Sequence, residues 1–261
     1  MSLLDAYLGK IREYVDDMRQ GQRQVRLFRC HTSLNGIQEH LPVRVGPGAS
    51  RDIIMRSDTF VELGNPEAGS CSFVVWTDKT SMVDDGNMTL VGSDIPESRG
   101  ASLPFGQVLL IAGEALTDAD KTRLEQQQFI ADQIEGYMLR SKPQSMWARV
   151  SNAAAKQGFD FKSLGQAFAL IYKSQVPGIQ AFEAVFVTSS KKDVERLAPI
   201  AEQVQKISKD ILRQVWLAKG YDILECTTGW DCSSCTDKSV CDEIKEVITV
   251  RKRVNRPRGE Q

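Results

Sequence analysis

Apolar side chains recur at three- and four-residue steps over residues 2 to 18: Leu4, Tyr7, Leu8, Ile11, Tyr14, Val15 and Met18, with charge on the opposite face. That period predicts an amphipathic helix, ended by Gly21. Between 25 and 116 the rhythm shortens to β-rich runs at 25–29, 42–45, 59–63, 71–77, 88–91 and 107–112. Turn formers separate them, including Gly46-Pro47-Gly48, Gly64-Asn65-Pro66 and Asp84-Asp85-Gly86-Asn87.

From 117 the helical period returns. Thr117 and Asp120 form a variant capping box that predicts a helix to about Arg140, with Leu124, Ile130, Ile134, Tyr137 and Met138 inward. A short strand follows at 146–150. Phe161, Leu164, Phe168, Ile171 and Tyr172 mark a second helix, and 182–187 is apolar almost throughout and reads as a strand. A long helix is expected over about 191–218, with Pro199 starting a new segment or kinking it. The last expected helix spans about 240–254. Alternating strands and helices in the second half predict an α/β fold, a layered sheet with crossover helices. The first half either extends that sheet or forms its own β layer. The expected division is one α/β domain over 1–220, N-terminal helix included, and a cysteine-rich metal-binding segment over 221–261.

The composition narrows the class. The 261 residues carry 33 basic and 34 acidic side chains, for a formal net charge of −1. That near-balance argues against a strongly basic nucleic-acid binder. The longest clean apolar run, 108–112, is far short of the roughly 20 residues a membrane span needs. Asp5, Lys10, Arg12 and Glu13 interrupt the N-terminal apolar pattern, unlike a signal peptide. A cytoplasmic location is expected.

Four of the six cysteines, Cys226, Cys232, Cys235 and Cys241, fall within sixteen residues, spaced Cys-x5-Cys-x2-Cys-x5-Cys. In a reducing compartment such a group points to metal more than to disulfides. Thiolates hold iron–sulfur clusters and zinc alike. Structural zinc usually uses two separate Cys-x2-Cys knuckles, whereas this loop has one such pair between outer thiols. The wider target of a [4Fe–4S] cubane suits the five-residue arms. Ser233, Ser234 and Thr236 are placed to donate hydrogen bonds to sulfur. Zinc remains the alternative, because four cysteines do not by themselves fix the metal.

Arg56-Ser-Asp-Thr-Phe-Val-Glu-Leu-Gly-Asn-Pro66 resembles a "VELGGP" segment of the β subunit of carbon monoxide dehydrogenase/acetyl-CoA synthase. The likeness continues through Val91-Gly-Ser-Asp-Ile95, Leu103-Pro-Phe-Gly106, Ala112-Gly-Glu114, Gln133-Ile-Glu-Gly-Tyr-Met138 and Met146-Trp-Ala-Arg-Val-Ser151, then the helix–strand unit over 161–187. It covers roughly residues 50 to 190, in the order of that family's middle domain. The resemblance implies a part in anaerobic one-carbon and acyl-CoA metabolism. The family's middle domain is linked to CoA binding through a tryptophan and several arginines. By the same blocks Trp147, Arg149 and Arg140 are the CoA-contacting candidates: an indole stacks on adenine and guanidinium forks match phosphate. The plainer reading makes Trp147 a strand-core residue and Arg149 its solvated neighbour. The family's nickel–iron–sulfur centre also uses a Cys-Gly-Cys motif. This sequence has none, so a two-nickel centre is not expected and a simple cubane is.

Three function classes follow. The first is an iron–sulfur protein that binds CoA or docks a corrinoid or redox partner, or CO dehydrogenase-type subunits. The second is CO-methylating acetyl-CoA synthase activity within a complex. The third is a zinc-stabilised interaction subunit without redox chemistry. His31 and His40 read as surface or hydrogen-bonded histidines. Gly64-x4-Gly69-Ser70 lacks the lysine of a phosphate loop and reads as a turn. Arg251, Lys252, Arg253, Arg256 and Arg258 form a basic tail, either a solvated helix end or a contact for an acidic partner.

Overall fold

Two β-sheets share one apolar core in the computed structural model, which describes residues 3–50, 53–125, 132–142, 145–218 and 242–243. The chain divides into two units, Met1–Leu212 and Arg213–Gln261. The second lies mostly outside the described residues, and with it the four clustered cysteines, the basic tail and all of the 240–254 helix except helical Asp242 and Glu243.

The elements run α1 (Asp5–Gln20), β1 (Val25–Arg29), β2 (Thr59–Leu63), β3 (Ser70–Thr77), β4 (Asn87–Val91), β5 (Ser102–Leu103), β6 (Phe105–Ala112) and α2 (Asp118–Glu125). Then come β7 (Tyr137–Lys142), β8 (Ser145–Ser151), α3 (Asn152–Lys156), α4 (Phe161–Gln175), β9 (Ala181–Val187), α5 (Lys191–Glu195) and α6 (Ala198–Ala218). The larger sheet has the order β1-β4-β9-β6-β3, with β3–β6 and β4–β9 parallel and β1–β4 and β6–β9 antiparallel. The smaller sheet has the order β5-β2-β8-β7. Strands from both halves of the chain thus contribute to each sheet, within a mixed α/β fold.

Alternation along β9 assigns the layers. Phe186 packs at a tilt against Phe161 and Phe168 of α4, so the even positions face α4. Val187 and Leu197 crowd Gly106 from the opposite face, where the Tyr14 hydroxyl of α1 donates to the Asp193 carbonyl of α5 at 2.9 Å. Phe168 also meets Tyr137 of the smaller sheet, ring centroids 6.1 Å apart. α4 is therefore wedged between the sheets, which is why eleven of its fifteen residues are buried rather than a single stripe.

Two expectations are corrected. The helix predicted to reach Arg140 is described over Asp118–Glu125, and residues from Tyr137 form a strand instead. Gly136 sits at φ 70° in a turn closed by Tyr137 N–H to Ile134 O, and from there Tyr137 and Leu139 point inward while Met138 and Arg140 do not. A period of two over so short a run does not separate a strand from the end of a helix. The 42–45 run forms no strand beyond an isolated bridge between Val45 and Ile134, consistent with the missing donor of Pro42. The Thr117–Asp120 box is present, with Thr117 N–H to Asp120 Oδ2 at 2.9 Å and Asp120 N–H to Thr117 Oγ1 at 3.2 Å. Pro199 lies in the first turn of α6, beyond the break after α5. No helix among the described residues is long and apolar enough to cross a membrane.

Candidate functional site

The smaller sheet is two-faced because its strands alternate. Val61 and Leu63 of β2, Met146, Ala148 and Val150 of β8, and Tyr137 and Leu139 of β7 enter the core. Their neighbours Glu62, Trp147, Arg149, Met138 and Arg140 therefore share the other face. Register fixes who meets whom: Glu62 pairs with Arg149, Arg149 with Met138, and Trp147 with Arg140. Directly opposed side chains start only about 5 Å apart at Cβ.

Arg149 is held from several sides. Its Nε donates to Glu62 Oε1 at 2.9 Å and its Nη1 to the Ile54 carbonyl at 3.2 Å. Its Cζ lies 4.7 Å from the centroid of the Trp147 ring, within cation–π range. Asn65 Nδ2 donates to Glu62 Oε2 at 3.2 Å and also to Ser102 Oγ. Partial burial pushes the Glu62 carboxyl up, but the bonds from Arg149 and Asn65 and the Arg149 charge outweigh it. The net shift is below the ordinary glutamate range, with Trp147 adding to it. The indole Nε1 is shielded from solvent and lies outside ideal hydrogen-bond geometry, yet it is near enough to Glu62 to favour the carboxylate as a weak donor.

Trp147 is half-buried and Arg140 is exposed. Ile53 and Met55 flank the carbonyl that receives Arg149, and are 71% and 64% exposed. The face thus offers an aromatic ring backed by one guanidinium, a second guanidinium across the strand pair and an apolar rim. Such a surface suits a ligand combining a flat base with anionic groups.

All three candidates for CoA contact stand on this face. Sequence reasoning missed that Glu62 and Asn65 brace it, although both lie in the 56–66 block singled out above. His31 and His40 also meet, edge to face with centroids 5.3 Å apart, and His40 lines a cleft of about 360 Å³. Cys30 and Cys71 are free thiols, pushed by burial up to about 11 and about 12. In the Gly64–Ser70 turn, Asn65 Oδ1 accepts from the backbone N–H groups of Glu67 and Ala68. A side chain fills this turn, as its reading as a simple turn anticipates.

Residues 41–194 match the family described as CO dehydrogenase/acetyl-CoA synthase complex beta subunit. The chain belongs to this family. The match takes in the whole candidate face and extends slightly beyond the 50–190 span read from the sequence blocks. Among curated relatives, the acetyl-CoA decarbonylase/synthase complex subunit beta of Archaeoglobus fulgidus is 28% identical over 79% of this chain and 39% of its own length. Its counterpart from Methanothermobacter thermautotrophicus is 26% identical over 64% and 36% respectively. The carbon monoxide dehydrogenase/acetyl-CoA synthase subunit alpha of Moorella thermoacetica is 28% identical over 73% and 26%. The chain therefore spans about two-fifths or less of the length of these family members.

Proposed function

We propose that this member of the family binds CoA on the outer face of the smaller sheet and carries a [4Fe–4S] cluster on Cys226, Cys232, Cys235 and Cys241. The observation that carries the CoA reading is the convergence of Trp147, Arg149 and Arg140 on one face of the domain that the family shares. Trp147 would stack on adenine while guanidinium groups meet phosphate. The cluster reading rests on donor chemistry: four closely spaced thiolates suit a cubane, which would supply electron relay or brace its loop.

The relatives are named as subunits of acetyl-CoA decarbonylase/synthase or CO dehydrogenase complexes. We extend that to this chain as work within a complex, docking a corrinoid or redox protein or CO dehydrogenase-type subunits, in the cytoplasm. CO-methylating acetyl-CoA synthase activity would then belong to the assembly.

Anaerobic purification of the full chain, followed by iron, sulfide, zinc and nickel analysis and retention on immobilised CoA, tests these readings. About four irons with matching sulfide and retention on the resin are expected. One zinc and no iron would replace the cubane with a structural metal, and stoichiometric nickel would favour the complete synthase. Free passage through the CoA resin would remove the ligand reading.

A further inference from the structure

The two guanidinium groups of the candidate face are in different circumstances. Arg149 gives Nε to Glu62 and Nη1 to the Ile54 carbonyl, and sets its Cζ over the Trp147 ring, with 17% of its side chain exposed. Arg140, directly across the strand pair from Trp147, is exposed. A ligand phosphate reaching Arg149 meets a guanidinium whose charge is already balanced by the Glu62 carboxylate, itself anchored by Asn65. One reaching Arg140 meets an open cation.

We infer that Glu62 and Arg149 are positioning residues, and that they fix the Trp147 indole while Arg140 supplies the phosphate contact. This rests on the CoA reading above and sharpens it. The Glu62–Arg149 pair holds the guanidinium under one side of the ring, so that the ring's other side is the surface left for a flat base. Stacking a cation against an indole also lowers the cost of keeping that large side chain still and half-exposed. The indole Nε1, shielded from solvent and a weak donor toward Glu62 at most, adds little hold of its own, which leaves the Arg149 contact as the main restraint on the ring. Glu62 acts as the built-in counter-ion of Arg149, which favours a base-reading role for the Trp147–Arg149 row and a charge-reading role for Arg140.

The two assignments of Arg149 predict opposite signs for one substitution. If Arg149 touched phosphate, Glu62→Gln would free it and tighten CoA binding. If Arg149 positions Trp147, the same change loosens the ring and weakens binding. Calorimetric titration of the full chain with CoA at two salt concentrations, for wild type, E62Q, R149Q and R140Q, reads this directly. E62Q and R149Q are each expected to weaken CoA by about fivefold, the scale of one lost cation–π contact, with the salt dependence of wild type retained. The double variant should be no worse than either single one, because the two residues act as a unit. R140Q should weaken binding and flatten the salt dependence.

A readout that needs no ligand accompanies it: the near-ultraviolet circular-dichroism band that W147F removes. That band should shrink in E62Q and R149Q and persist in R140Q, with far-ultraviolet spectra confirming that each variant folds. Tighter CoA binding by E62Q, or an unchanged indole band in both E62Q and R149Q, overturns the inference. A diminished band together with no CoA binding by wild type upholds the positioning role and overturns the CoA reading, and with it the Arg140 assignment that depends on it.

Discussion

Glu62 on β2 and Arg149 on β8 stand directly opposite each other, and the carboxylate accepts the guanidinium Nε–H at 2.9 Å across a separation of 87 residues in sequence. Despite partial burial, which acts upward, the Glu62 carboxyl is held below its ordinary value of 4.5, chiefly by Arg149 and Asn65. A carboxyl lowered in the native state stabilises the fold above its unfolded pKa and loses that contribution as pH falls through its native one. E62Q is expected to cost about 1 kcal/mol at neutral pH and to reduce the loss of stability on acidification below about pH 4.5. Thermal unfolding as a function of pH checks both signs. Identical acid profiles for the two proteins would show that the pair contributes nothing to stability.

Asp85, in the turn before β4, gathers several hydrogen bonds. It accepts from Thr32 Oγ1 at 2.6 Å, from Lys173 Nζ at 2.9 and 3.1 Å through its two oxygens, and from the Phe182 N–H at 2.9 Å. Lys173 is only 9% exposed, so removing its counter-ion strands a buried charge. D85A is expected to lose about 3 kcal/mol in urea denaturation, and K173M less, because Asp85 keeps its two other donors. A loss of under about 1 kcal/mol for D85A would mean that the ammonium reaches water easily.

Gly64 ends β2 beside the candidate face at φ 68°, and a Cβ there would lie 2.5 Å from the Met146 carbonyl oxygen and 2.8 Å from Ser70 Cβ. G64A is expected to cost about 2 kcal/mol or more, since neither backbone strain nor the clash has an easy relief. Gly9, exposed in α1 with nothing within 4 Å of its would-be Cβ, is the control. There the change to alanine should stabilise by about 0.5–1 kcal/mol. Paired unfolding curves decide it.

The cysteines should divide into two classes. Cys71 is buried in β3 with its thiol pushed up to about 12, so it should resist thiol reagents in the native chain. Cys232→Ser, expected to remove a cluster ligand, should lose iron and the visible charge-transfer band under anaerobic conditions. Cys71→Ser should keep both. Retention of full iron by C232S would exclude that residue from the ligand set.

Legibility in the sequence followed periodicity and range. α1, β1 to β4, β6, β8, α4 and β9 each carry a strong local rhythm, and the break before α6 is marked by Pro199. β7 was misread because two inward residues, Tyr137 and Leu139, are too few to establish a period of two. The error hid the most useful relationship of the site: Arg140 is not at a helix end near Trp147 but directly across a strand pair from it. Glu62 was visible as a residue of a familiar block, yet its partner lies far along the chain, and no local pattern encodes such a pairing. The meeting of His31 with His40 likewise depends on how a loop folds back.

Whether the outer face of the smaller sheet takes CoA through Trp147 is the central question for this protein. Isothermal titration of CoA into the anaerobically prepared full chain, beside a folded W147A variant, tests this most directly. Saturable binding by wild type that weakens at least about tenfold in W147A, a loss of about 1.4 kcal/mol, is the predicted result. Equal affinities for the two proteins, or no heat of binding from wild type at millimolar CoA, would contradict it.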